Sequence, residues 1–550
     1  MRAQRRYWET HHGKGSALLC IQDSVSAKGS VDAVDIKRLA LEAGFPEATV
    51  RGVISYYTDL QSRKGALRIC QGTSCKLAGA ERLKSLLQAR SECRDVYCLG
   101  FCDRSPAILT ADDAVLTGSR LTELAGGKRP LVPQQESRPS ARCLAREPLV
   151  LRRVLQGDFS KLEDARAGGV YRAVAAALRR SPEEILSAVE RSGQRGRGGA
   201  GFPTGAKWRS CAQAPGAPHY VVVNGDEGDP GSFVDRALLE YDPHAVLEGT
   251  ILCGYAVGAS RGIIFIRAEY PKAILRMREA IAAAQAAGIL GPSVVGSGFS
   301  FEASVFPGLG SYVCGEETAM LNTLEGMRGE VQIRPPYPTL KGLYGKPTVV
   351  NNVETLVNIP PIVERGPETY AALGTDKSKG TKVMCLNHGF ARPGLLEVEF
   401  GITLREVIEE AGGGAGGQHL EAVVLGGPMG SILLPEEWDV PVCYGAMAER
   451  GIQLGHGGLV AIPEGADFRG LLEHWLEFMM DESCGKCVPC RLGSQTAWNL
   501  LRDHGHPECR SRLERLLEVV EQGSLCAFGQ FMPGPMRKLI RHFGDRIFES

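Results

Sequence analysis

The chain has 550 residues, too many for one hydrophobic core, and its apolar (43%) and charged (23%) fractions are those of a folded protein with several domains. Its net charge of zero argues against nucleic acid or an anionic membrane surface as the main binding partner. No run of about 18 apolar residues exists to span a bilayer, and the basic N-terminus lacks the apolar segment of a secretory signal, so we predict a cytoplasmic protein.

The first 124 residues predict helices followed by a small α/β module. Apolar residues at three- and four-residue steps favour helices, and short apolar runs favour strands. A polar stretch rich in proline, serine and arginine follows at 125–147 and is predicted to be a linker. The predicted helices are 32–44, 46–60 and 79–90, and the predicted strands are 67–72, 94–100 and 106–110.

Between residues 148 and 375 helices and strands alternate, which predicts a layered α/β domain. The strands at 220–225 and 262–268 are continuous apolar runs, as in a parallel sheet that is covered on both faces. Residues 376–462 contain short strands, one helix and a glycine run, and this pattern resembles a small β-grasp module. Residues 463–550 are predicted to be helical again.

Seventeen cysteines is a high number for a cytoplasmic protein, in which structural disulfides are disfavoured. Clustered cysteines in such a chain are more often metal ligands or redox groups. Nine of the cysteines show no ligand spacing, and most of these are predicted to be small buried hydrophobes. They are Cys20, Cys93, Cys143, Cys211, Cys253, Cys314, Cys385, Cys443 and Cys509.

The C-terminal cysteine set consists of Cys484, Cys487 and Cys490 at a tight spacing and a lone fourth residue, Cys526. C-x2-C-x2-C with a remote cysteine supplies the four thiolates of a [4Fe–4S] cluster, which transfers single electrons. A structural zinc site is the alternative, but zinc sites usually pair two short C-x-x-C knuckles. The spacing therefore favours the iron–sulfur cluster.

The N-terminal set consists of two pairs, Cys70 with Cys75 and Cys98 with Cys102. Each pair lies beside the end of a predicted strand, in a loop where two thiolates can face the other pair. Two such pairs suit a [2Fe–2S] cluster or a zinc ion, and the spacing favours iron–sulfur without excluding zinc.

A glycine-rich loop, Gly196-Arg-Gly-Gly-Ala-Gly201, precedes Phe202 and Lys207. It matches G-x-G-x-x-G, which is a weak signal alone, and it follows a predicted helix where a dinucleotide-binding fold would have a strand. Its glycines would nevertheless let backbone amides approach a phosphate, with Arg197 and Lys207 supplying charge. The alternative is a flexible surface loop.

Polar side chains follow the strand at 220–225, at the end where ligands of open α/β sheets bind. Acidic residues there can bind ribose hydroxyls or ring N–H groups, although the same residue types also form ordinary turns. For the acidic pair 316–317, which opens a helix, compensation of the helix dipole is the alternative. The candidates are Asn224, Asp226, Glu227, Asp229, Glu316, Glu317, Arg334, Tyr337, Asn351 and Asn352.

Five motifs in order resemble the NADH-binding flavoprotein subunit of respiratory complex I, which recurs in NAD-dependent formate dehydrogenases and NAD-linked hydrogenases. They are GRGGAGFPTGAKW, VVVNGDEGDPG, SYVCGEETAMLNTLEG, KPTVVNNVET and SCGKCVPCR with LCAFG. The resemblance covers about 148–550, and the N-terminal 130 residues resemble the thioredoxin-like [2Fe–2S] subunit of the same complexes. It implies an α/β multidomain fold: a thioredoxin-like [2Fe–2S] module (1–124), a Rossmann-like FMN and NAD domain (148–375), a β-grasp module of the SLBB type (376–462) and a helical bundle with a [4Fe–4S] cluster (463–550).

The resemblance also implies which residues hold the cofactors. No catalytic acid or base is required, and Glu317 is the nearest candidate for one. NADH would stack between the flavin and Phe202, with Asp229, Glu317, Arg334 and Tyr337 reaching the nucleotide. FMN would be held by Gly196, Arg197, Gly198, Gly199, Ala200, Gly201 and Lys207, and lined by Asn224, Asp226, Glu227, Gly228, Tyr312, Gly315, Glu316, Glu317, Asn351 and Asn352. The metal ligands would be Cys70, Cys75, Cys98, Cys102, Cys484, Cys487, Cys490 and Cys526.

Four positions depart from the family pattern. The family mostly has Glu where this chain has Asp229, Lys where it has Arg334 and Phe where it has Tyr337, and many members have an aromatic residue at Ser210. These departures affect the nucleotide pocket more than the flavin pocket, and Arg334 beside a shortened acid leaves use of NADPH open.

The function implied is that of a diaphorase subunit, in which hydride passes between NAD(H) and FMN and single electrons pass through iron–sulfur clusters to or from a partner subunit. Because a thioredoxin-like module is fused to the flavoprotein and no ferredoxin-like domain follows, the chain resembles most the beta subunit of a molybdenum or tungsten formate dehydrogenase. The expected partners are its large catalytic subunit and a small iron–sulfur subunit. The alternatives are a hydrogenase, a complex I-like NADH dehydrogenase, or an iron–sulfur scaffold without flavin, against which the intact glycine loop argues.

Overall fold

The computed structural model describes residues 33–60, 66–89, 91–118, 138–503 and 508–549, with residues 18, 20–22, 24 and 121. The basic N-terminus and residues 125–137 of the predicted linker lie outside the described residues. Within the described ranges, no helix has the length and apolar character needed to cross a bilayer.

The N-terminal module is a four-stranded sheet in the order β2-β1-β3-β4. Strand β1 is parallel to β2 and antiparallel to β3, so the chain between β1 and β2 must cross over, and two helices make that crossover. Leu83 and Leu87 of the second helix pack with Ile69 and Ile108 of the sheet. The elements are β1 Leu67–Cys70, helices Thr73–Leu77 and Ala80–Gln88, β2 Cys93–Val96, β3 Ala107–Leu109 and β4 Val115–Thr117.

Two helices precede this module, Ala33–Ala43 and Glu47–Tyr56, as the apolar spacing predicts. They pack against the following α/β domain, where Val50 shares a core with Met320. The hydroxyl of Tyr57, just after the second helix, donates to a backbone oxygen of that domain at 2.8 Å.

The α/β domain contains a parallel sheet in the order β8-β7-β6-β9. The chain proceeds from β6 to β8 on one side and then returns to place β9 on the other side of β6. The carboxyl ends of β6 and β9 therefore flank a topological switch point, where ligands of such sheets bind. The strands are β6 His219–Gly225, β7 Ala259–Ile266, β8 Glu302–Pro307 and β9 Thr348–Asn352. The helices are Leu162–Ala167, Arg172–Ala177, Pro182–Arg191, Thr204–Ala212, Val234–Tyr241, Pro243–Val257, Pro271–Ala286, Glu317–Leu324, Pro338–Lys341, Val353–Val357, Ile359–Arg365 and Pro367–Ala371.

The β-grasp module is a mixed sheet in the order β15-β14-β16-β12-β13-β5. Its edge strand β5, Ala141–Cys143, lies in the segment predicted to be a linker, so that prediction is wrong for these three residues. Three residues are too few to show an alternating pattern in the sequence. Only the pairing with β13 identifies this segment as a strand. The other elements are the hairpin Gly374–Thr375 and Ser378–Lys379 (β10 and β11), β12 Thr381–Leu386, β13 Gly394–Glu399, a π-helical segment Glu406–Ala411, β14 Leu420–Leu425, β15 Ser431–Leu433, the helix Tyr444–Ala448 and β16 Gly458–Pro463.

The C-terminal region is helical, as predicted. Its core is formed by Trp475, Leu476 and Phe478 of the first helix and by apolar residues of the others, such as Leu513 and Leu539. The helices are Phe468–Glu482, Val488–Arg502, Cys509–Gly523, Ala527–Phe531 and Pro533–Phe548.

The nine cysteines without ligand spacing are mostly buried, as predicted; Cys93 and Cys143 are only half-buried. Burial raises the pKa of Cys211 to about 12. A thiol of this kind is inert at neutral pH, because the thiolate is the reactive form.

One buried carboxyl in the α/β domain makes stability depend on pH. Glu248 accepts the N–H of Ala173 at 3.1 Å, but its second oxygen is buried without a hydrogen-bond partner among the described residues, and burial raises the pKa of Glu248 to about 8. The native state therefore binds more protons than the unfolded state between the ordinary pKa of a glutamate and pH 8, and this contribution to stability falls as pH rises through that range. We expect Glu248→Gln to raise the melting temperature by a few degrees at pH 8.5 and less at pH 5.5, measured by calorimetry. The exposed Glu302→Gln is the control, and equal shifts at both pH values would contradict the assignment.

Candidate functional site

The glycine loop lies at the carboxyl edge of the parallel sheet, against the end of β9. A side chain on Gly198 would begin 3.0 Å from Cβ of Asn352, and one on Gly201 would begin 2.8 Å from the ring of Tyr444. Gly199 and Gly201 also have φ values of +112° and +59°, which favour glycine. The loop therefore packs against neighbouring segments at two positions although part of it is exposed, which argues against the alternative of a flexible surface loop.

Arg197 does not supply its charge to the cleft beside this loop. Its guanidinium is fully buried and donates to the backbone oxygens of Arg195, Lys379 and Thr381 and to the hydroxyl of Tyr370. The prediction that this side chain pairs with a phosphate is therefore wrong. Instead it anchors the glycine loop to the β-grasp module, which contributes two of those four acceptors.

Lys207, Glu317 and Arg334 form one ion-paired group. Lys207 Nζ donates to Glu317 Oε2 at 3.1 Å and to the carbonyl of Val350 at 3.2 Å, and Arg334 Nη1 donates to Glu317 Oε1 at 2.7 Å. Burial acts to raise the pKa of Glu317, but Lys207 and Arg334 outweigh it and hold that pKa below its ordinary value. Glu316 caps the helix Glu317–Leu324, because its carboxylate accepts two backbone N–H groups of that helix. This is the role in compensating the helix dipole that was the alternative to ligand binding.

Asn224 and Asp226 lie where β6 ends. Asn224 Nδ2 donates to the carbonyl of Gly315 at 2.8 Å, and its Oδ1 accepts the N–H of Asp226 at 3.1 Å. Oδ2 of Asp226 is buried without a hydrogen-bond partner among the residues that the structure describes, and burial raises the pKa of Asp226 well above its usual range. Buried polar atoms are nearly always paired, so this oxygen is available to a ligand.

Glu227 has a structural role. Its buried carboxylate accepts the hydroxyl of Ser232 at 2.9 Å and the N–H groups of Asp235 and Arg236 at 3.1 and 3.0 Å. These donors belong to the start of the helix Val234–Tyr241, whose free N–H groups need acceptors. The side chain therefore does not line the cleft, contrary to the prediction.

Two side chains share the carboxylate of Asp229. The hydroxyl of Tyr312 donates to Oδ1, and Nδ1 of His456 lies 3.4 Å from Oδ2. His456 belongs to a β-grasp loop, 454–458, whose Gly455 lies 3.6 Å from the position of a side chain on Gly199. This loop was not among the predicted site residues, and its only sequence signal is the run Gly-His-Gly-Gly before β16.

The two asparagines that end β9 are held by protein groups. Asn351 Oδ1 accepts the indole N–H of Trp208 at 2.7 Å. Asn352 Oδ1 accepts the N–H of Thr355 at 3.2 Å, and its Nδ2 donates to Asp235 at 2.5 Å. Both are therefore rigidly oriented at the switch point.

The residues predicted to contact the nucleotide through their rings are exposed. Phe202 is 54% exposed and Tyr337 is 53% exposed, so each ring has apolar area to offer a base or a nicotinamide ring. Ser210 donates its hydroxyl to Thr339 at 2.8 Å and offers no ring.

The four N-terminal cysteines are brought together. All are buried, the sulfurs of Cys98 and Cys102 lie 3.6 Å apart, and the N–H of Leu99 donates to Cys70 at 3.4 Å. The interaction with Cys98 raises the pKa of Cys102 well above its ordinary value, and burial and the charges of Cys75 and Cys70 add to this. The pKa of Cys75 is also raised well above its ordinary value, first by its hydrogen bond with Cys70, whereas the same hydrogen bond lowers the pKa of Cys70 to about 7. Buried thiols this close to one another are a suitable set for a cationic iron core.

The C-terminal cysteines lie at helix ends. Cys484, Cys490 and Cys526 are buried and Cys487 is half-buried. Burial raises the pKa of Cys490 to about 12 and that of Cys526 to about 11, so iron binding must offset the cost of their ionisation. Across the described ranges, no three His, Cys, Asp or Glu side chains converge as they would around a single metal ion.

The N-terminal module touches the acidic turn directly. The N–H of Gly231 donates to the sulfur of Cys102 at 3.3 Å. Arg267 Nη1 donates to the carbonyl of Cys98 at 2.6 Å and to that of Glu227 at 2.8 Å. The loop that carries Cys98 and Cys102 thus packs on the turn that ends β6.

Four aromatic rings connect the three sites. Phe478 contacts Tyr97, which precedes Cys98, at a centroid distance of 5.0 Å and Tyr312 at 5.1 Å. Tyr312 also lies 5.5 Å from Phe528, two residues after Cys526. Tyr312 also donates to Asp229 in the turn after β6, so this turn and both cysteine sets meet around one aromatic cluster.

Three family models match the chain: the Nuo51 FMN-binding domain over 189–361, the NADH-ubiquinone oxidoreductase-F iron-sulfur binding region over 470–550, and the thioredoxin-like [2Fe-2S] ferredoxin over 4–123. The NADH-quinone oxidoreductase F subunit of Aquifex aeolicus (strain VF5) is 42% identical over 72% of this chain and 93% of its own length. This chain belongs to the family of NADH-quinone oxidoreductase F subunits. The NADP-reducing hydrogenase subunit HndC of Solidesulfovibrio fructosivorans is 44% identical over 70% of this chain and 80% of its own length.

A solved chain of an NAD+-reducing [NiFe]-hydrogenase in the H2-reduced state aligns with 97% of this chain and 92% of its own length, with a TM-score of 0.83 and 28% identity. The fold predicted from the sequence is confirmed, and so is the enzyme class, an FMN and iron–sulfur oxidoreductase that uses NAD(H). The family models also decide between zinc and iron–sulfur, since they assign a [2Fe–2S] module and a 4Fe–4S region to the two cysteine sets.

The cleft of this flavoprotein fits a flavin nucleotide. Gly198 and Gly199 of the glycine loop have no side chain that would keep a phosphate from the backbone. The unpaired Oδ2 of Asp226 suits a ring N–H group. A side chain on Gly228 would begin 2.5 Å from the ring of Tyr312, so this turn must be glycine to leave the tyrosine beside the cleft.

Proposed function

We propose that the chain is the diaphorase subunit of a multisubunit oxidoreductase, in which hydride passes between NAD(H) and FMN and electrons pass singly to or from a partner subunit. The observation that carries the proposal is the convergence at one sheet edge of the glycine loop, the Lys207–Glu317–Arg334 group and the turn on which the N-terminal cysteines pack. The bound FMN would supply the change from a two-electron to a one-electron step.

We propose the following roles for residues of this chain. Glu317 holds Lys207 and Arg334 in place, so that one cation lies beside each cofactor position. Phe202 and Tyr337 offer exposed rings to the nucleotide. FMN is held by the backbone of Gly196, Gly198, Gly199, Ala200 and Gly201 and by Lys207, Asn224, Asp226, Gly228, Tyr312, Gly315, Glu317, Asn351 and Asn352, and NAD(H) by Phe202, Asp229, Glu317, Arg334 and Tyr337.

The purified chain tests the diaphorase proposal. It should show a flavin absorbance band that NADH bleaches, and it should reduce an artificial dye with NADH. Iron without flavin, and no dye reduction, would instead support the alternative of an iron–sulfur scaffold.

Electrons would leave through the C-terminal cluster. Cys487 is half-buried, and exposed apolar side chains follow it in the chain: Val488 is 56% exposed, Leu492 53% and Leu525 45%. Val488 and Leu492 are one turn apart on the helix that begins there, so they share a face. An apolar patch beside a redox centre is suited to bind the partner subunit.

Leu492→Lys should therefore lower the amount of large subunit that co-purifies by about tenfold, because a charge would be buried in the interface. Bleaching of the flavin by NADH should not change. Leu275→Lys is the matched control, since Leu275 is 56% exposed on a helix of the α/β domain. Co-purification that falls equally in both variants would contradict this docking face.

We further propose that the partner subunit is either a formate dehydrogenase or a hydrogenase. A molybdenum or tungsten formate dehydrogenase is supported by the fusion of the thioredoxin-like module to the flavoprotein. A hydrogenase is supported by the NAD+-reducing [NiFe]-hydrogenase chain, because its alignment with 97% of this chain includes that fused module. Metal analysis of the complex purified through this chain separates them: molybdenum or tungsten with formate-driven NAD+ reduction supports the first, and nickel with H2-driven reduction supports the second.

A further inference from the structure

The β-grasp module contributes a wall to the cofactor cleft. Its loop 454–458 packs on both sides of the cleft. Gly455 lies against Gly199 of the glycine loop. On the other side, a side chain on Gly458 would begin 2.7 Å from the backbone of Gly231 in the acidic turn. The contact at Gly458 is too close for any side chain and requires glycine there. His456 is the single residue of this loop with a titratable side chain.

The imidazole of His456 lies between the two segments that flank the cleft. Nε2 is 3.5 Å from the point where a side chain on Gly198 would begin, and Nδ1 is 3.4 Å from Oδ2 of Asp229. Both side chains are 15% exposed, so they are largely removed from water. Asp229 therefore lies on the Nδ1 side of the ring, and Nε2 faces the glycine loop.

We propose that His456 is a binding residue of the cofactor site, which presents Nε2–H to the phosphate of the flavin nucleotide held by the glycine loop. The inference rests on the proposed function. Because Arg197 is turned away into the β-grasp module, the loop lacks the guanidinium expected there, and the imidazole beside Asp229 offers a hydrogen-bond donor in its place. Asp229 is thus a positioning residue for His456.

The test compares FMN with riboflavin, which lacks the phosphate, on flavin-depleted protein by quenching of flavin fluorescence. His456→Gln should weaken FMN binding by about 10- to 100-fold, as for loss of a charge-assisted hydrogen bond, and leave riboflavin binding unchanged. His419→Gln, an exposed histidine of the same module, should change neither. Equal weakening of both flavins would place the imidazole on the ring, and no change would remove it from the site; either result overturns the proposal. Failure of the unsubstituted chain to bind any flavin would instead overturn the diaphorase function.

Discussion

Cys487→Ser is expected to leave the reduction of flavin by NADH intact and to lower electron transfer to the partner by at least about 100-fold. The substitution removes one of four thiolates from a [4Fe–4S] site, whose cluster then does not assemble stably. The flavin cleft is built from other segments, around Lys207, Glu317 and Asp226, and is not altered. Stopped-flow absorbance at the flavin band measures the first step, and NADH-driven reduction of the partner measures the second.

The matched control is Cys509→Ser. Cys509 is a buried cysteine of the same helical region whose thiol donates to the carbonyl of Leu500 at 2.9 Å. It should keep both steps and the iron content of the unsubstituted chain. Onward transfer that survives in Cys487→Ser, and also in Cys487→Ala, would show that this cysteine is not a ligand of the exit cluster.

Glu317→Gln is expected to lower kcat/KM for NADH by about 10- to 100-fold. Lys207 and Arg334 donate to different oxygens of the carboxylate, and in an amide of the same shape one of these oxygens becomes an NH2 group, which cannot accept from a cation. The neutral amide also leaves both cations without a counter-charge. The ion pairs are partly exposed, which limits the loss. Steady-state dye reduction gives kcat and KM, and absorbance gives the flavin content of each preparation.

Glu325→Gln controls for a change in the same helix, since Glu325 lies at its C-terminal end and accepts a backbone N–H from Tyr344. A loss of activity that follows the flavin content would assign Glu317 to retention of FMN. Unchanged kcat/KM with full flavin content would remove Glu317 from the site.

Much of the fold could be predicted because its signals are local. The helices over 32–60 and the strands β6 and β7 follow from apolar spacing and from continuous apolar runs. Strand β5 could not be predicted, because three residues at a sheet edge have no pattern and depend on pairing with β13, about 250 residues later.

In the candidate site too, local motifs could be predicted and long-range contacts could not. Sequence motifs named nearly every residue near the cleft, yet they did not indicate which side chains would be free. Glu227 and Asp226 are neighbours of the same type, and only packing shows that Glu227 is used by a helix start while Asp226 keeps an unpaired oxygen. His456 carried no recognised motif, because its partners lie more than 200 residues earlier in the chain.

The sequence by itself indicated the chemistry of this protein: two sets of four cysteines, a glycine loop and acidic turns, with the family resemblance that these motifs carry, predict iron–sulfur clusters, a flavin and a nicotinamide nucleotide. Such motifs consist of residue types at short spacings, which a sequence displays directly. The tertiary structure alone decided how the charges are used. Arg197 donates to Thr381, 184 residues away, and so serves the junction of two modules instead of a phosphate. The physical reason is that a buried guanidinium must satisfy its donors where acceptors lie in space, and no local pattern specifies that place.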